Sequence, residues 1–135
     1  MHPILRNVLA IIAGVVIGGL VNGGLISISG SIIPLPAGVD PNDVNSLAEN
    51  MHLFEMKHFI MPFLAHALGT LVGAFVAASI VVNNKMMFGV VIGIFFLVGG
   101  VMASMMIPAP TWFIAFDLLL AYIPMGWLGG KLANR

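Results

Sequence analysis

The chain has 135 residues, no net charge with histidine neutral, 60% hydrophobic residues and only 7% charged ones. An ordinary soluble domain is about a quarter charged, so a chain of mean hydropathy +1.10 is expected to have lipid as its solvent. The charge balance leaves no basic face for nucleic acid, and the absence of cysteine excludes disulfides, thiolate metal sites and a cysteine nucleophile.

The first apolar run extends from Ile4 to about Ile26, broken only by Arg6, Asn7 and Asn22. Arg6 and Ser27-Ile28-Ser29 give it a likeness to a secretory signal. Its apolar core exceeds the roughly 7–15 residues of such signals, so a retained span is expected. Gly14, Gly18 and Asn22 form a stripe at every fourth position.

Residues 27–57 form the one sizeable segment outside the spans. Pro34, Pro36, Gly38 and Pro41 predict extended chain and turns. Asp40-Pro41 is a helix start, and Ser46 with Glu49 has capping-box spacing, so a short helix is expected over about 42–54. Leu47, Met51 and Phe54 would be its apolar stripe. Two readings of the segment stay open: a linker that lids the bundle, or a surface that gates an entrance or receives a partner.

The second run covers about 58–82, the third 86–107 and the fourth 111–130. Each approaches the roughly 20 residues that cross about 30 Å of hydrocarbon. The links Asn83-Asn84-Lys85 and Pro108-Ala109-Pro110 are short enough to force antiparallel neighbours. The expected fold is therefore all-α: a polytopic integral membrane protein, one transmembrane domain over 1–135, with four helices in a compact antiparallel bundle. Arg6, Lys85, Lys131 and Arg135 fall on one side of this arrangement and only Lys57 on the other, which predicts cytoplasmic termini. Trp112 and Trp127 suit interfacial anchoring. The expected location is a cell membrane, specifically a bacterial inner membrane.

On the second span, Glu55, His58, Pro62, His66, Gly69, Gly73 and Ala77 share an arc of about 100°. Phe59, Phe63, Leu64, Leu71 and Phe75 lie mostly elsewhere and are expected to meet lipid. Gly89, Gly93, Gly100 and Ser104 make a small-residue stripe on the third span, and Asp117, Ala121 and Pro124 one on the fourth. Such stripes let membrane helices approach closely, within a subunit or between subunits.

His66 and Asp117 need a partner, because a charge at mid-bilayer costs about 2.5–3.5 kcal/mol on insertion scales. Their depths, about 13 and 9 Å from the same surface, allow them to pair. A carboxylate beside an imidazole can share a proton, the chemistry of a relay. The alternative is a structural pair, with Asp117 accepting also from Thr70 or Asn22.

Metal binding has weaker support. Met51, His52, Met56, His58 and Met61, with Met102, Met105 and Met106, offer thioether and imidazole ligands suited to Cu(I). Glu55 to His58 has the Glu-x-x-His spacing of di-iron bundles, but few carboxylates accompany it and methionine is a routine gap filler. No metal or other cofactor is expected, and no catalytic motif occurs.

Two functions are compatible with this pattern. One is a transporter or channel subunit, with His66, Asp117, His58 and Glu55 lining a polar path for a small ion or solute. The other is a non-transporting accessory or scaffold subunit whose glycine faces dock partners. Either implies a homo-oligomer or a membrane-protein partner, and neither is an enzyme.

Overall fold

Pro3 opens the first helix at a position where its missing N–H costs nothing, and the His2 side chain accepts from the Ile4 N–H. In the computed structural model, which describes all 135 residues, this helix, α1, spans Pro3–Ile32 and does not end near Ile26. Nothing between them stops it: the Ser27 and Ser29 hydroxyls donate back to the Gly23 and Ile26 carbonyls, and the next proline after Pro3 is Pro34.

The segment that follows holds a shorter helix than expected, α2 (Val44–Glu49). Its cap is Asp43, whose carboxylate accepts from the Asn45 N–H at 3.0 Å. Ser46 is not the cap, because its hydroxyl oxygen already accepts from the Asp40 N–H at 2.9 Å. Two 3₁₀ turns, Met51–Leu53 and Met56–Phe59, lead into α3 (Ile60–Ile80). The Asn83-Asn84 turn, with Asn84 in the left-handed region that asparagine tolerates, leads to α4 (Lys85–Met106).

The fourth span is not one helix but two, α5 (Thr111–Leu120) and α6 (Ile123–Ala133). Pro124 has no N–H for the Leu120 carbonyl and its ring crowds that carbonyl, so the helix breaks just before it. Tyr122 sits at the break with φ −115° and ψ −77°. There are no strands, and four helical stretches are long and apolar enough to cross a membrane.

Central to the bundle is α3, which packs against α1, α4 and α6, while α6 also lies along α4. By contrast, α5 touches its neighbours at few positions. Two glycine seams set the close approaches. On the first, Gly14 and Gly18 of α1 face Gly73 and Gly69 of α3, and a β-carbon on Gly14 would fall 2.7 Å from the Gly73 carbonyl oxygen. On the second, Gly89 faces Gly126, Gly93 faces the backbone at Tyr122 and Ile123, and Gly100 faces the Tyr122 ring. These are tight contacts of the kind that hold membrane helices together.

Two expectations about faces are corrected. The break advances the packed face of the fourth span by one residue, so it runs Asp117, Ala121, Tyr122, Gly126, Gly130, and Pro124 is exposed. Phe59 does not face outward: the 3₁₀ turn swings it inward, 4.7 Å from the Phe113 ring and edge-on to Trp112.

Both chain ends lie at one end of the bundle. The Arg6 guanidinium donates to the Ile80 carbonyl, and the Lys85 ammonium donates to the Ala133 carbonyl at 3.1 Å. Each basic side chain thereby satisfies a carbonyl at a helix C-terminus.

Candidate polar site inside the bundle

Sequence reasoning expected His66 and Asp117 to meet, and the structure brings them together. His66 Nδ1 lies 2.9 and 3.0 Å from the two Asp117 carboxylate oxygens. Asp117 is 5% exposed, so the carboxylate depends on protein donors. An ionised carboxylate only accepts, so against it Nδ1 is the donor and Nε2 is left for a lone pair or a second proton. Nε2 has no hydrogen-bond partner within the chain and is not sealed in, because the only buried polar side-chain atom left unpartnered is Asn22 Oδ1.

The second donor to Asp117 is neither Thr70 nor Asn22. It is Tyr122, whose hydroxyl donates to Oδ2 at 3.1 Å while its ring stacks on His66 with centroids 5.9 Å apart. Tyr122 escapes sequence reasoning because five residues after Asp117 on a straight helix would point it about 140° away. The break removes that offset, and Pro124 is the one signal of it in the sequence. Thr70 instead donates to the His66 carbonyl at 2.8 Å, within its own helix.

Two cavities share the His66 wall. The first, of about 280 Å³, lies beneath the 41–54 segment and is mostly apolar, lined among others by Leu47, Phe54, Phe59, Phe113 and Ile114. His66 and Asp117 also line it, with His58 and Ser104 as the other polar side chains. The second, of about 260 Å³, is less apolar and is bounded by Asn22, His66, Thr70, Phe96, Tyr122 and the small residues Gly69, Gly99, Gly100 and Ala103. Small residues keep this space open, since larger side chains on α3 and α4 would fill it.

The remaining candidates divide. His58 is buried on the wall of the first cavity, where its Nδ1 accepts from the Glu55 N–H at 2.8 Å. Glu55 lies outside the site: its side chain is 71% exposed, 3.6 Å from the Lys57 ammonium. No three histidine or carboxylate side chains come together at metal-binding range. Of the methionines, Met61 is buried and Met56, Met102, Met105 and Met106 are exposed.

The arrangement is a carboxylate that fixes one imidazole nitrogen of a residue lining both cavities and leaves the other nitrogen without a partner in the chain. Chemically it can hold and release a proton, and it can accept hydrogen bonds from a ligand. Comparison of the chain with family models, curated proteins and solved structures gives no match.

Proposed function

We propose that the protein is a small membrane transport protein in which the His66–Asp117 pair is a protonatable site reached from the cavity under the 41–54 segment. The observation that carries this reading is the position of His66 in the wall shared by two cavities, with Nδ1 held by Asp117. A structural pair alone needs no cavity on either side. The broken fourth span adds support, because interrupted helices with freed backbone groups commonly form the ion and substrate sites of transporters. We take both termini as cytoplasmic, since Arg6, Lys85, Lys131 and Arg135 are basic and only Lys57 lies toward the opposite end.

Purified protein in proteoliposomes, carrying a trapped pH-sensitive dye, tests the reading with cationic, neutral and anionic small solutes. Wild type should move at least one class with a coupled pH change, and Asp117→Asn should abolish it while the protein stays folded. No solute-driven signal from wild type in any class would refute transport.

An accessory role is favoured by a different observation. Gly19, Gly23, Gly24 and Gly30 of α1 have open space where a side chain would be. Bare glycine surface on a membrane helix suits close contact with another subunit.

A further inference from the structure

The one acidic side chain on the walls of the two cavities is Asp117, and the donors left free there are the Asn22 amide and the ring N–H of His58. Asn22 Oδ1 is buried without a partner, and His66 Nε2 is open once Nδ1 faces Asp117. The Tyr122 hydroxyl proton is committed to Asp117 and the Thr70 hydroxyl proton to the His66 carbonyl. No lysine or arginine lines either cavity. Asp117 also sits in the last turn of α5, where the helix dipole is negative. The site therefore disfavours anions. Inorganic cations are poorly served as well, because the approach from the 41–54 side is walled mainly by aliphatic and aromatic side chains that cannot replace a hydration shell.

We infer that the site takes a primary alkylammonium or similar amphipathic monoamine, its apolar body in the first cavity and its head at His66 and Asp117, in exchange for a proton. This rests on the transport reading and names the substrate class for the same site. An alkylammonium is an N–H donor carrying a positive charge, and Asp117 and His66 are the acceptors that the wall of the first cavity offers it. The exchange follows from charge balance in a low-dielectric setting. With a proton on Nε2, imidazolium and carboxylate sum to zero. When the ammonium docks, that proton must leave to water, and the cation and carboxylate again sum to zero. Proton and amine compete for one negative charge.

The groups around His66 allow no other charge compensation. Asp117 and Tyr122 face it from the fourth span, and Thr70 belongs to its own helix. Beside the cavity, α1 contributes Asn22, and α4 only Phe96, glycines, Ala103 and Ser104. His58 is the one further titratable side chain on the walls, and its Nδ1 is held by the Glu55 N–H.

Isothermal titration of the full chain in nanodiscs, with empty nanodiscs as blank, tests this with n-butylamine, 1-butanol and butyrate. The amine should bind best and butyrate not at all. Affinity should rise about fourfold per added methylene along an ethyl to hexyl series until the apolar cavity fills. Titrations in buffers of different ionisation heat should show proton release approaching about one per amine at acidic pH and vanishing at alkaline pH. Asp117→Asn should weaken amine binding by about tenfold or more, with Tyr122→Phe as a milder second variant. Equal binding of amine and alcohol, preference for butyrate, or pH-independent binding without proton release would each overturn the inference. If proteoliposomes carry a neutral or anionic solute in an Asp117-dependent way and no amine binds, the substrate class fails while transport stands. Amine binding with proton release but no flux of any solute would leave the site intact and refute transport.

Discussion

The Tyr122 ring is seated directly on Gly100: a β-carbon there would lie 2.6 Å from both its Cζ atom and its hydroxyl oxygen. The same hydroxyl donates to Asp117, so the absence of a side chain on α4 positions a donor on the fourth span. Gly100→Val should push the ring off the carboxylate and destabilise the protein by about 1–3 kcal/mol. The neighbouring Gly99 meets nothing within 4 Å, and Gly99→Val should stay within about 0.5 kcal/mol. Thermal unfolding in detergent compares the two, and equal losses would contradict the seating.

Tyr122→Phe keeps the ring against Gly100 and His66 but removes one donor from Asp117. The expected cost is about 0.5–3 kcal/mol, the range of hydrogen bonds to neutral and charged groups. Combined with Asp117→Asn in a double-mutant cycle, the two changes should couple rather than add. Strict additivity would mean that the 3.1 Å contact carries no energy.

Gly73 faces the backbone of Gly14 and Gly18 across the α1–α3 seam. Gly73→Leu should separate those helices and reduce the yield of folded protein sharply. Phe75 is 44% exposed, so Phe75→Leu trades one lipid-facing hydrophobe for another and should be tolerated. Size-exclusion recovery after solubilisation gives the comparison, and equal tolerance would remove the seam as a source of stability.

With no native cysteine, single introduced cysteines report topology cleanly. Asn45→Cys in the 33–59 segment should react with a membrane-impermeant maleimide in intact cells, and Asn134→Cys only after the membrane is opened. The reverse pattern would place the termini outside and invert the direction of any flux.

Much of this architecture was readable from hydropathy alone. Four apolar runs and two three-residue links leave a chain little choice but antiparallel helices, and spacings of three and four placed His66, Gly69 and Gly73 on one face. The His66–Asp117 meeting followed from depth, because both residues are counted from the same surface. What escaped reasoning was anything set by a local departure from helical phase. Pro124 breaks the fourth span, and the break moved Tyr122 into the site and Pro124 itself out of the packed face. Likewise a 3₁₀ turn, which advances about 120° per residue instead of about 100°, buried Phe59. Competing local hydrogen bonds decided the rest. The Ser46 hydroxyl went to Asp40 and the Thr70 hydroxyl to its own helix, alternatives that residue spacing cannot rank.

The break in the fourth span also divides the molecule by lifetime. Amides in α6 sit under close glycine contacts with α3 and α4, so exposing them requires parting backbones that touch. Amides in α5 have no such cover and few neighbours, and opening there is limited mainly by the Asp117 contacts and the aromatic cluster at Phe113. Deuterium uptake should therefore be fast along Thr111–Leu120 and slow along Ile123–Ala133, with the step falling at Tyr122. Asp117 rides on the fast half and His66 on the slow core, so their hydrogen bond spans a boundary between two clocks and need break only as often as the faster one ticks.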